Sequence, residues 1–307
     1  MQQLANADTY GIRPAAHRLP DATRIRAVTL QVSDLQRSRA FYCNTLGFRP
    51  VASSSHRISL GAAENDDVLI ELVENRAGQR RSPRKSLGLY HVAILLPTRG
   101  DLGCFLQHLE KLGVRAGAGD HLVSEALYLQ DPDNLGIEVY ADRPRETWRR
   151  EGSELVMATD PVDMKALMAA GGSEPWRGMP AGTAIGHVHL HVGDLSDASR
   201  FYSDAVGFDR MVWSYPGALF LAAGGYHHHL GTNTWAGSDA RPAAADDPQL
   251  VEWVLELPSA ADVDATAASL ATLGYAVDTA GGGAGIVTRD PWGTALRIDA
   301  PKPGASL

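Results

Sequence analysis

Two stretches of the chain alternate apolar and polar positions with period two and then switch to a helical period, at a constant offset of 160 residues. Residues 28–48 read VTLQVSDLQRSRAFYCNTLGF and residues 188–208 read VHLHVGDLSDASRFYSDAVGF. Asp34-Leu35, Phe41-Tyr42 and Gly47-Phe48 recur as Asp194-Leu195, Phe201-Tyr202 and Gly207-Phe208. Each copy predicts a strand, an Asp that caps a helix, an amphipathic helix and a Gly that stops it. A weaker pair is interleaved with these. LYHVAILLP (89–97) precedes a helix over about 99–112 that ends at Leu112-Gly113. LVEWVLELP (250–258) precedes a helix over about 260–272 that ends at Leu273-Gly274. Pro97 matches Pro258, and Asp131-Pro132 matches Asp290-Pro291.

The chain therefore reads as four copies of one unit, strand–helix–three strands, at about 25–75, 88–143, 184–236 and 248–300. The expected class is α+β. The expected organisation is an N-terminal extension (1–24), a domain of two modules (25–143), a linker (144–183), a second domain of two modules (184–300) and a short tail (301–307). The linker is expected to hold a short helix starting at Asp160-Pro161, with Pro at the first helical position. At 307 residues, two domains fit the length.

Four βαβββ modules carrying this FY…GF signature resemble the vicinal oxygen chelate superfamily over about residues 25–300. The resemblance implies two cupped mixed sheets, each built from a pair of modules, with one divalent metal in a cup. It does not choose a reaction, because glyoxalases, isomerases, thiol transferases and dioxygenases share the fold.

The superfamily draws metal ligands from early in a module's first strand and from its last strand. Here the first-strand positions hold Ala27, His91, His187 and Glu252. The last-strand positions of modules two and four hold Glu138 and Arg297; those of modules one and three hold about Glu71 and one of His227, His228 and His229. A guanidinium cannot bind a metal, which counts against modules three and four as a pair. Ala27 removes a ligand from modules one and two. Modules two and three together offer His91, Glu138 and His187, two imidazoles and a carboxylate, the facial set suited to Fe(II) and O2 chemistry. The long linker is expected to let these two modules meet face to face.

Residues 119–138, GDHLVSEALYLQDPDNLGIE, sharpen the reading. They resemble the signature of the extradiol ring-cleavage dioxygenases: Gly-x-His, an apolar residue and Tyr, Asp-Pro, then Glu. Asn134 departs from it, standing where the pattern has Gly or Pro, but Asn tolerates a left-handed backbone. The resemblance implies that Glu138 is an iron ligand and that His121 and Tyr128 lie against the substrate oxygens. In the third module, GHVHLHV resembles the family's ligand strand, with His187 as ligand. YHHHLGTNTW resembles the strand carrying the acid–base histidine, which the family register places at His228, one step from His229. With YADRPR and GLYHVAILLP, the tract also resembles a bacterial subgroup of catechol 2,3-dioxygenases.

The activity implied is Fe(II)-dependent cleavage of a small aromatic diol by O2, beside the two hydroxyls, through a lactone to a muconic semialdehyde; Mn(II) would serve in place of iron. His228 would act as base towards a catechol hydroxyl and later as acid, a task suited to imidazole near neutral pH. Two other classes share the fold. A glyoxalase-type lyase or isomerase would prefer four protein ligands, two of them carboxylates, around Ni or Zn. A ligand-sequestering binding protein would have lost its ligands. In the family, copies commonly associate through sheet edges or module faces, so a homo-oligomer is open.

Several histidines have ordinary readings. His189 and His191 share the His187 face by alternation. Alternate strand residues lie about 6.6 Å apart, so all three cannot bind one metal, and His189 and His191 are read as structural. The 227–229 tract is read as part of a strand, where His228 has opposite parity to its neighbours. Glu71 is read as a solvent-side residue, and modules one and four as support. Charge and composition narrow the partners. Lys plus Arg is 28 and Asp plus Glu 36, a net −8, which argues against a general nucleic-acid binder. The sequence contains no apolar run of membrane-spanning length and no N-terminal signal core, and its two cysteines are too few for a disulfide framework; a cytoplasmic protein is expected.

Overall fold

A computed structural model describes residues 10–64, 66–77, 86–281 and 285–301. Residues 1–9 of the expected extension and 302–307 of the expected tail lie outside the described residues. The first module comprises β1 (Arg24–Val32), α1 (Leu35–Ala40), β2 (Arg49–Ser53), β3 (Arg57–Gly61) and β4 (Ile70–Glu74). The second comprises β5 (Ser86–Leu95), α2 (Arg99–Leu112), β6 (Gly117–Asp120), β7 (Ser124–Gln130) and β8 (Gly136–Asp142). A hairpin of β9 (Arg150–Glu151) and β10 (Glu154–Leu155) follows, then α3 (Met164–Ala170). The third module comprises β11 (Ala184–His191), α4 (Leu195–Ala198), β12 (Asp209–Val212), β13 (Ala218–Ala222) and β14 (Leu230–Asn233). After β15 (Arg241–Pro242), the fourth comprises β16 (Gln249–Glu256), α5 (Ala260–Thr272), β17 (Asp278–Thr279), β18 (Gly285–Arg289) and β19 (Ala295–Asp299).

The repeated motifs have a shared physical cause. Asp34 and Asp194 cap their helices, accepting from the backbone N–H groups of Arg37 and of Ser196 and Asp197. Both helices then widen into π-helical turns, Phe41–Leu46 and Ser199–Ala205. Each turn aims a buried tyrosine at the Asp-Pro turn of the following module: Tyr42 Oη donates to Asp131 (3.3 Å) and Tyr202 Oη to Asp290 (2.9 Å). A buried hydrogen bond of this kind is worth about 1 kcal/mol, so the FY and DP motifs tie consecutive modules together. The linker helix differs from expectation. It starts after Asp163, whose side chain accepts from Ala166 N, while Asp160 is held in a two-way backbone bridge with Asp120.

Two open eight-stranded sheets result. One runs β6-β7-β8-β5-β11-β14-β13-β12 and the other β2-β3-β4-β1-β16-β19-β18-β17. They are mixed: β5–β8, β11–β14, β1–β4 and β16–β19 are parallel and their other ladders antiparallel, and the short β15 adds in parallel to the start of β5. Modules two and three therefore combine, as do one and four, and Ile25 meets Ile185 where the sheets touch. They do not meet face to face as expected. Their first strands pair edge to edge, because β5 and β11 each present an open edge whose N–H and C=O groups need partners. Alternate residues such as Val92, Val188, Ile137 and Leu230 enter the main core with the helices. The opposite face of the two–three sheet carries the histidines.

Candidate metal centre

A bulge sets the direction of His91. In the β5–β11 ladder, His91 faces His189 and Leu89 faces Leu190, which leaves Tyr90 without an opposite residue. Leu89 and Val92 are both in the core, so strict alternation would have put His91 on the wrong face. Glu138 lies opposite Ala93 on β8, and His187 opposite Ala93 on β11. All three side chains are buried.

They converge. His91 Nε2 lies 2.9 Å from Glu138 Oε2, His187 Nε2 3.2 Å from the same oxygen, and the two Nε2 atoms 3.4 Å apart. Two imidazole nitrogens and a carboxylate oxygen thus offer three electron-pair donors to one point. His187 Nδ1 is buried with no partner among the described residues, so the ring has no second anchor to share its proton. Adjacent ligands on metal bonds of about 2.1 Å lie about 3.0–3.4 Å apart, and the three atoms match that spacing. Burial would raise Glu138, but its interactions with the His187 and His91 rings outweigh burial and hold it well below the usual carboxylate range, and burial holds His187 down to about 4; both are the forms a metal needs.

Tyr128 faces Glu138 across β7–β8. His121 Nδ1 donates to the Ala158 carbonyl (2.7 Å), so its Nε2 accepts from Tyr128 Oη at 2.5 Å. Burial, with the Glu138 charge beside it, keeps the phenol protonated. Asn134 has φ +64, the left-handed conformation that its departure from the signature required.

The 227–229 tract corrects the sequence reading. It lies in a turn before β14, not in a strand, because Gly224 and Gly225 reverse the chain and the ladder resumes only at Leu230. Strand parity therefore does not apply. By parallel register, the module-three position equivalent to Glu138 is Gly231, not one of the histidines. His228 nevertheless packs on His187, ring centroids 4.0 Å apart. Its orientation follows from its neighbour. His227 Nε2 donates to Asp142 (2.8 Å), leaving His227 Nδ1 to accept from His228 Nδ1 at 2.7 Å. The Nε2 of His228 then keeps a lone pair, and burial holds the ring neutral. His229 faces elsewhere: its Nδ1 accepts from Ala223 N at 3.2 Å.

One end of this face is closed by Tyr140, Tyr226 and Trp148. The other end opens into a cavity of about 590 Å³ bordered by His91, Tyr128, Tyr90, Gln130 and His191. Sequence reasoning missed this mouth, which the 40% exposed Tyr90 borders with Trp235 packed against its ring, centroids 5.9 Å apart. The equivalent positions of the one–four sheet hold Ala27, Glu71, Glu252 and Arg297. There, Arg57 pairs with Glu71 (2.6 Å) and Arg297 with Asp299 (2.9 Å), so cationic side chains balance the carboxylates.

Burial of neutral histidines makes a prediction about acid. The unfolded chain protonates histidine near 6.5, whereas burial holds His187 at about 4, His229 at about 3, and His189 and His228 well below 6.5. Burial also raises three carboxyl groups, Asp131 (to about 7), Asp290 and Glu252, which act in the opposite sense, but the four histidines outweigh them below pH 6.5. Stability of the metal-free protein should be full above pH 6.5 and fall as pH drops towards 5, by of order 1 kcal/mol or more per pH unit. Urea midpoints at pH 7.5, 6.5 and 5.5 measure it, and a flat series contradicts the burial.

The sequence matches the Glyoxalase/Bleomycin resistance protein/Dioxygenase superfamily over residues 24–139 and 184–298. It is 44% identical over 259 residues to a catechol-2,3-dioxygenase of Bacillus subtilis (strain 168), covering 83% of this chain and 90% of that protein. Among solved structures, a protein of Bacillus subtilis subsp. subtilis str. 168 described as a candidate dioxygenase is similar, with TM-score 0.64 and 16% identity over 94% of this chain and 87% of that one. Glyoxalase I of Zea mays matches with TM-score 0.52 and 15% identity over 91% and 92%. At these identities the two structures bear on the fold alone.

Proposed function

Because the chain belongs to the Glyoxalase/Bleomycin resistance protein/Dioxygenase superfamily, in the branch of the Bacillus catechol-2,3-dioxygenase, we propose that it cleaves a catechol beside its two hydroxyls with O2, using Fe(II), or Mn(II) in its place, held by His91, Glu138 and His187. The observation that carries the reading is the convergence of those three ligands with His228 stacked against one of them. The chemistry supplied by the bound metal is transfer of electrons from a chelated catecholate to O2.

The protein's own groups do the rest. His228 takes a proton from a catechol hydroxyl at its free Nε2 and later returns it, while Asp142 and His227 hold the tautomer that makes this feasible. Tyr128, with its proton directed to His121, offers oxygen lone pairs to a substrate hydroxyl and fixes the ring. The buried wall of Tyr140, Tyr226 and Trp148 keeps water from that end. Both oxygen atoms enter the product, so no external reductant is needed. Work in the cytoplasm is part of the proposal, and Cys43 and Cys104 are free thiols.

Anaerobic loading with Fe(II) or Mn(II), followed by O2 uptake on a panel of catechols, tests the reading. One O2 should be consumed per catechol. A protein that instead isomerises a glutathione hemithioacetal with Ni or Zn, or binds catechol without consuming O2, belongs to another branch.

A further inference from the structure

His189 is 4% exposed and lies opposite His91, with ring centroids 4.9 Å apart and planes at 83°. The protonation of its ring is fixed from outside. The backbone N–H of Trp235 can only donate, and it does so to Asn233 Oδ1 at 3.0 Å; His191 Nδ1 donates to the same oxygen at 2.7 Å. The other atom of that amide, Nδ2, must therefore donate to His189 Nε2, 2.9 Å away. With Nε2 accepting, the His189 ring carries its proton on Nδ1. That Nδ1–H has no partner among the described residues. The ring lies flat on Gly231, where a Cβ would come within 2.8–2.9 Å of three ring atoms. Tyr90 and His91, which border the cavity, both pack against it.

A histidine serving only as filling would not need an amide to select its tautomer and a glycine to seat its ring. We propose that His189 is a substrate-binding residue, donating its Nδ1–H to an oxygen of the bound diol, with Asn233 and Gly231 as its positioning residues. The proposal rests on the dioxygenase reading. A fixed donor suits that ligand, because a chelated diol carries negative charge on its oxygens, and donors to charged oxygens form the stronger hydrogen bonds.

The geometry of amide side chains supplies the test. The Asn amide nitrogen sits about where imidazole Nδ1 does, whereas the Gln amide nitrogen reaches the Nε2 position. Wild type, His189→Asn, His189→Gln and His189→Phe would each be loaded with Fe(II). Iron content, anaerobic catechol Kd and kcat would then be measured. All four should hold one iron, because His189 is not a ligand. His189→Asn should bind catechol within about threefold of wild type, and His189→Gln and His189→Phe about 10- to 100-fold more weakly. If the Phe variant fails to fold, the Asn–Gln contrast still decides. Equal Kd in the Asn and Gln variants, or wild-type Kd in the Phe variant, overturns the proposal. A wild-type protein that neither binds catechol nor consumes O2 overturns the dioxygenase reading and the proposal with it.

Discussion

Glu138→Ala should lose its metal and all measurable O2 uptake while keeping its fold. Glu138 is the only carboxylate of the three converging ligands, so its removal takes away both a bond and the charge that offsets the cation. Changes one layer out from a metal typically cost about 10- to 100-fold in affinity, so loss of a ligand should exceed 100-fold. The fold does not need the site. Val92, Ile137, Val139 and Val188 face the opposite side of the same strands and stay in the core. In the metal-free protein the substitution also removes a buried charge, whose pairing with histidines is a weak source of stability. His91→Ala and His187→Ala should behave alike. Metal content by plasma mass spectrometry, beside circular dichroism and an oxygen electrode, checks all three. Stoichiometric iron in any variant removes that residue from the site.

His228→Gln should keep its iron and its affinity for catechol but turn over about 10²–10⁴-fold more slowly, the usual worth of a positioned acid–base group. The structural reason is the free Nε2 beside His187, which a Gln amide replaces with a group that cannot take a proton. His229→Gln should stay close to wild type in rate, because His229 is engaged with Ala223 N away from the ligands. Iron content and single-turnover rates on catechol would separate the two. The reverse result, a slow His229 variant and a normal His228 variant, would move the acid–base role by one residue. Loss of iron from either would place a ligand in the tract.

The module repeat was legible because it rests on local physics that a sequence carries openly: Asp caps, a stopping Gly and period-two strands. The helices over 99–112 and 260–272 form where their periodicity predicts. The three side chains that converge were named through resemblance rather than pattern. Alternation counted from Leu89 misplaces His91, since the Tyr90 bulge is a property of the β5–β11 pairing. The same limit explains the tract at 227–229. Apolar neighbours suggested a strand, but Gly224-Gly225 commit the chain to a turn, and His228 reaches His187 from irregular backbone. The edge-to-edge joining of modules was not readable, because either first strand could in principle be covered by another element. The His189–Asn233–Trp235 chain was also invisible, for it depends on one backbone N–H fixing an amide 44 residues from the histidine it orients.

The most direct measurement of the central claim is the identity of the product when Fe(II)-loaded protein meets catechol and O2. Cleavage at the His91–Glu138–His187 centre predicts a yellow muconic semialdehyde, one per O2 consumed, absent in Glu138→Ala. A colourless muconic diacid, from cleavage between the hydroxyls, or unchanged catechol would contradict it.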